Sequence, residues 1–130
     1  MLFLLSFLFQ LGAFFTLMPP PPPPIVGNAE NGQKWFRQCA VCHPVSPGGR
    51  NTLGPNLLGV FDRPAGAVAG FNYSNAMRTR AAAGLTWSED NLRTYLTNPR
   101  SFLPGGSMAY RGMEDAQHMA DVIAYLKVLK

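Results

Sequence analysis

Cys39-Ala40-Val41-Cys42-His43 decides how the rest of the chain is read. Two thiols three positions apart can each form a thioether to a vinyl group of one haem, while the imidazole that follows reaches its iron. The spacing is that of a c-type haem attachment site. Two other readings of the pair are a redox dithiol and half of a zinc site. No further cysteine exists in the sequence, which removes a four-thiolate zinc centre. A thioredoxin-like dithiol asks for a strand ahead of it and a parallel sheet around it, and the pattern shows neither. Haem is the reading that fits.

With 130 residues and an unusual N-terminus, the chain has room for one domain. About 100 residues bury little apolar surface against their entropy cost, so a large apolar disc in the core suits a cofactor-dependent fold. Net charge is +4, made of three lysines (Lys34, Lys127, Lys130) and eight scattered arginines against seven acids. Scattered charge argues against nucleic-acid binding. It fits a diffuse positive face, on a monomeric domain, for a protein partner with an acidic docking surface.

Met1 to Met18 is almost wholly apolar and carries no charged side chain. As a helix it would span about 27 Å, slightly short of the hydrocarbon core of a bilayer. It also lacks the basic start of an ordinary signal peptide. Residues 1–18 are therefore read as an export signal or a membrane anchor. Pro19 to Pro24 cannot continue a helix and should form a stiff polyproline II spacer about 19 Å long, within a linker over residues 19–29. Gly27-Asn28-Ala29 places small residues where signal peptidase wants them, so cleavage before Glu30 is one expectation and a retained anchor the other.

Residues 30–130 read as the folded domain, all-α, with four to five short helices and long loops. Glu30 to Cys39 is the first helix, with Asn28 as a candidate N-cap. Gly32 and Phe36 share one of its faces. A glycine there costs ~1 kcal/mol against alanine, which invites another helix crossing closely. Pro44 to Gly70 is loop; Ser74 caps a short helix over Asn75 to Ala83, ended by Gly84. Thr86-Trp87-Ser88-Glu89 has the form of a capping box and opens a helix that stops at Asn98-Pro99. The last helix runs from about Asp115 to Leu129, with Met119, Val122, Ile123 and Leu126 at helical spacing; His118 lies on its polar side, as a surface residue. No strand is expected.

An iron held on one side by His43 needs a second side chain, a gas or water on its other face. Met108 is the candidate, because it sits in the loop Pro104-Gly105-Gly106-Ser107-Met108, where backbone geometry can aim a side chain at a distant point. Met77, Met113 and Met119 read as core filler.

From Asn28 to Lys130 the chain resembles a class I c-type cytochrome, the soluble monohaem type of mitochondria and bacterial periplasms. The motifs that carry the resemblance stand in family order. They are Gly32-x-x-x-Phe36-x-x-Cys39-x-x-Cys42-His43, Gly54-Pro55-Asn56-Leu57, Gly70-Phe71-Asn72-Tyr73-Ser74, Leu85-Thr86-Trp87, Pro104-Gly105-x-x-Met108-Ala109 and Ile123-Ala124-Tyr125-Leu126. The resemblance implies the cytochrome c fold around one haem c, covalent through Cys39 and Cys42. It implies that His43 is the proximal ligand with its second ring N–H on the Pro55 carbonyl, and that Met108 is the distal ligand. Tyr95 would bond the methionine sulfur, and Arg63, Tyr73 and Trp87 would hold the inner propionates. Gly32 and Phe36 would cross the last helix near Val122 and Tyr125.

A His/Met pair raises the potential and leaves no vacancy for oxygen, so the resemblance implies a periplasmic one-electron carrier and not an enzyme. It would shuttle between respiratory or photosynthetic complexes, docking through basic groups such as Arg37, Arg100 and Arg111. The alternative function is a dedicated electron-accepting subunit of a periplasmic dehydrogenase. A peroxidase or gas sensor would need an open iron site. Three departures from the family stand out: Gly106 replaces a threonine, Met77 an asparagine, and three extra residues lie between Tyr73 and Trp87.

Overall fold

The computed structural model describes residues 17–130; the reading of Met1–Met18 as signal or anchor therefore falls almost entirely outside the described residues. Six helices are present among them: α1 (Ala29–Trp35), α2 (Arg37–Ala40), α3 (Asn75–Ala82), α4 (Glu89–Thr97), α5 (Pro99–Phe102) and α6 (Ala116–Val128). None is long and apolar enough to cross a membrane. The all-α expectation holds, with more pieces than the four to five expected. The first helix is split at Phe36, where Cys39 N–H bonds the Phe36 carbonyl at 2.8 Å and tightens the turn that carries the thiols. The other extra piece, α5, starts at Asn98, whose side chain accepts from Ser101 N–H while Pro99 occupies the first helical position.

The helix ends follow local chemistry. Asn28 caps α1 through Asn31 N–H, Ser74 caps α3 through Met77 N–H, and Asp115 caps α6 through His118 N–H. The capping-box reading of residues 86–89 is corrected. Ser88, not Thr86, caps α4, and Glu89 stands at its start, bonded to Arg93 and Lys127. Thr86 is taken up elsewhere, in an isolated antiparallel bridge with Pro64 flanked by Trp87 N–H to the Arg63 carbonyl at 2.9 Å and Ala65 N–H to the Leu85 carbonyl at 2.8 Å. A backbone committed to that long-range pairing is not free to start a helix. The bridge also sets Arg63 beside Trp87.

α6 is the centre of the core, with Val122 and Ile123 its most deeply buried side chains. α1 lies across it at Gly32, where any Cβ would overlap the Asp121 carbonyl and crowd the Tyr125 Cβ. The close crossing expected from that glycine is thus present, and Phe36 packs its ring against Tyr125 at 5.1 Å. Residues upstream of α1 join the same packing: Asn28 N–H donates to the buried Asp121 carboxylate at 2.8 Å. Long loops fill the remainder, one from Val41 to Ser74 and one from Leu103 to Asp115. They are pinned where they matter, by Gly54 N–H and the Thr52 hydroxyl on the Cys42 carbonyl and by Met113 N–H on the Leu96 carbonyl.

Candidate haem site

The elements enclose a cavity of about 410 Å³. Its walls are mostly apolar, with Leu57, Leu92, Leu103, Val122 and Leu126 among them. All nine residues singled out in the sequence line it: Cys39, Cys42, His43, Pro55, Arg63, Tyr73, Trp87, Tyr95 and Met108. They come from the end of α2, both long loops, the turn before α4, and α4 itself.

Cys39 and Cys42 are half-buried on the cavity wall and not joined to each other. Burial, with the neighbouring Cys42 charge adding to it, pushes the Cys39 thiol up to about 11. A thioredoxin-like dithiol needs a parallel sheet around it, and the described residues hold six helices and one isolated antiparallel bridge, so the fold does not support that reading of the pair.

His43 is oriented by its loop. Its Nδ1–H donates to the Pro55 carbonyl at 2.8 Å, which leaves Nε2 with its lone pair free to bind a metal. Burial lowers the His43 pKa and outweighs the raising effect of the Pro55 bond, so the ring is kept in the neutral, ligating form. Gly54 explains why the ring fits: a Cβ there would run into the imidazole.

Met108 lies on the same cavity and its Sδ accepts a hydrogen bond from the Tyr95 hydroxyl at 3.8 Å. Tyr95 is itself stacked on Trp87 with ring centroids 4.9 Å apart and packed against Phe102 at 5.5 Å. Burial pushes its hydroxyl up to about 12, so it remains a donor throughout the neutral range.

Arg63 donates to the Leu58 carbonyl at 3.1 Å and the Asn56 carbonyl at 3.2 Å, while its buried Nε has no partner among the described residues. Burial lowers its pKa, partly offset by Tyr73. Tyr73 accepts from Val68 N–H through its hydroxyl at 3.0 Å. An orphaned buried N–H is costly and calls for an acceptor. An apolar cavity ringed by two thiols, an imidazole, a thioether and an unsatisfied guanidinium N–H matches the parts of haem c: its flat apolar ring, vinyl arms, iron and propionate carboxylates.

Of the two single-residue departures from the family, Met77 is buried on the cavity wall, as expected of core filler, whereas Gly106 is exposed. Other features lay beyond the sequence reading. His118, expected as a plain surface residue, is half-exposed and lays its ring on Trp35 with centroids 3.6 Å apart. The carboxylate of Asp121 is buried, 2 % exposed, between α6, Gln117 and the chain ahead of α1. Helical periodicity places Asp121 near the core but cannot show partners 93 residues away in sequence.

Comparison with known proteins agrees with this geometry. The sequence model of the family described as Cytochrome c matches residues 29–130. Cytochrome c2 of Blastochloris viridis is 39% identical over 113 residues, 87% of this chain and 87% of that protein. Cytochrome c of Guizotia abyssinica is 42% identical over 102 residues, 78% of this chain and 89% of that protein. The solved structure of cytochrome c2 from Rhodospirillum centenum superposes with a TM-score of 0.75 at 36% identity, covering 80% of this chain and 99% of that one. With an attachment motif and an apolar cavity already in place, the chain belongs to the cytochrome c family, whose members carry one covalent haem c and pass single electrons without catalysing a reaction of their own.

Proposed function

We propose that this protein is an exported one-electron carrier that moves between larger redox complexes of a respiratory or photosynthetic membrane. When bound, haem c supplies the one-electron couple of its iron. Cys39 and Cys42 would hold it covalently. His43 would bind the iron through Nε2, steadied by Pro55, and Met108 would bind it through sulfur, steadied by Tyr95. With both side chains on the iron no site would be left for a substrate, as a carrier requires. Arg63, Tyr73 and Trp87 line the same cavity and would supply donors to buried propionate carboxylates.

The observation that carries this reading is the placing of His43 and Met108, each with a hydrogen-bonded orienting partner, on the wall of a single apolar cavity. Residues 30–130 act as the carrier domain, the apolar segment 1–18 directs it across the membrane into the periplasm, and residues 19–29 link the two. Arg37, Arg100 and Arg111 are exposed and form the positive docking face for acidic partners.

Purified holoprotein tests the assignment. Colour should stay on the denatured polypeptide, and Met108→Ala should change the visible spectrum and lower the potential, because thioether ligation favours ferrous iron. An unaltered spectrum and potential in that variant would remove Met108 from the iron and the carrier reading with it.

A further inference from the structure

The three residues ahead of α1 are built into the folded domain. The Val26 carbonyl accepts from Gln117 Nε2 at 2.8 Å, and Asn28 N–H donates to Asp121 Oδ1 at 2.8 Å. The same Gln117 nitrogen reaches that carboxylate oxygen at 2.9 Å. Between them Gly27 lies so close to α6 that a Cβ would overlap the Ala120 carbonyl. The Asn28 side chain then caps α1 through Asn31 N–H at 2.8 Å. Val26 to Ala29 is thus a strap across α6, fastened by backbone and side chain at a buried charge.

Gly27-Asn28-Ala29 is also the stretch whose small residues suit an export peptidase. A cut after Ala29 would delete every contact of the strap: Asp121 would lose its backbone donor and α1 its N-cap. Between Phe14 and Val26 no Gly, Ala or Ser occurs; the nearest small residues upstream are Gly12 and Ala13, inside the apolar run itself. The proline run itself is exposed from Pro19 to Pro24.

We propose that the chain is not cut at Ala29, that Val26–Ala29 serve as a structural strap of the working protein, and that the retained apolar segment Met1–Met18 ties the domain to a lipid bilayer. The proposal rests on the reading of the protein as an exported carrier. No charged side chain lies between Met1 and Ala29, so the hold on the bilayer is hydrophobic and insensitive to salt. A stiff spacer about 19 Å long, rooted on α6, sets the stand-off of the domain and confines the carrier to partners in the same membrane.

The test uses the full chain, exported and loaded with haem. Intact mass and N-terminal sequencing should find residues upstream of Val26 still present, and the colour should sediment with membranes, resist high-salt washing and come off in detergent. A protein beginning at Glu30, or a coloured protein found only in the soluble fraction, would overturn the proposal. A second protein, delivered by an unrelated cleavable signal so that it begins at Glu30, should melt at a lower temperature with an unchanged visible spectrum and potential; an unchanged melting temperature would overturn the strap. Failure of the carrier reading would look different, since colour would then be absent or not covalent.

Discussion

The Tyr95 hydroxyl donates to the Met108 sulfur at 3.8 Å, linking the buried face of α4 to the loop that carries the thioether. Donation to sulfur draws electron density from it and so adds to the preference of the thioether for ferrous iron. Tyr95→Phe keeps the ring stacked on Trp87 and removes only that bond. At 3.8 Å the bond belongs at the weak end of the net range, about 0.5 kcal/mol, and because only its difference between ferric and ferrous iron counts, the potential should fall by at most roughly 20 mV. A redox titration of the variant holoprotein checks this; a potential that rises would contradict the role given to Tyr95.

Two glycines separate packing from ligation. Gly54 leaves room for the His43 ring and Gly32 leaves room for the crossing of α1 on α6. Gly54→Ala and Gly32→Ala should each destabilise by about 1–3 kcal/mol through overpacking. Only Gly54→Ala should also disturb the visible spectrum, because its added methyl meets the imidazole. Denaturant melts read together with spectra decide it, and a spectrum disturbed by Gly32→Ala alone would reverse the assignment.

The different fates of particular residues show what a sequence of this kind displays. Cys39, Cys42 and His43 are legible because their chemistry lies in their spacing, and α6 because Val122, Ile123 and Leu126 repeat at helical period. Met108 was legible by its loop only together with the family resemblance. Thr86 misled because a cap is a local pattern, whereas its backbone answers to Pro64 across the fold. Gly54 gave no sign that it faces an imidazole, and the stacking of His118 on Trp35 joins two helices far apart in sequence. Periodicity reports burial, but the partner of a buried polar group is set by tertiary packing.

Asp121 should make stability depend on acid. Burial raises its pKa, but hydrogen bonds from Asn28 N–H, Gln117 and Trp35, with the charge of His118, outweigh that and hold the carboxyl below its usual range. A folded pKa below the unfolded one means that the contribution is fully present above the ordinary aspartate value, near 4, and is lost as pH falls through the folded value. Asn does not titrate, so the stability gap between wild type and Asp121→Asn should be fully developed at about pH 5, where the carboxylate is ionised, and shrink below about pH 4. Thermal melts across that range measure it, and a gap that stays constant to about pH 3 would contradict the assignment.

Partner docking is the remaining consequence of the charge distribution. Arg37, Arg100 and Arg111 are exposed, and the chain carries net charge +4 with none of its charge in the first 29 residues, so all of it belongs to the domain. Encounter with an acidic partner is then steered by a field that decays over about 8 Å at physiological ionic strength and about 30 Å at 0.01 M. Electron transfer to such a partner should therefore slow at least about tenfold as ionic strength rises between those two conditions. Arg100→Glu should weaken that salt dependence and slow transfer at low salt, while leaving the visible spectrum and potential as they are, because the side chain does not line the haem cavity. Stopped-flow transfer measured against ionic strength separates the alternatives: rates independent of salt in both proteins would mean that docking is not electrostatic.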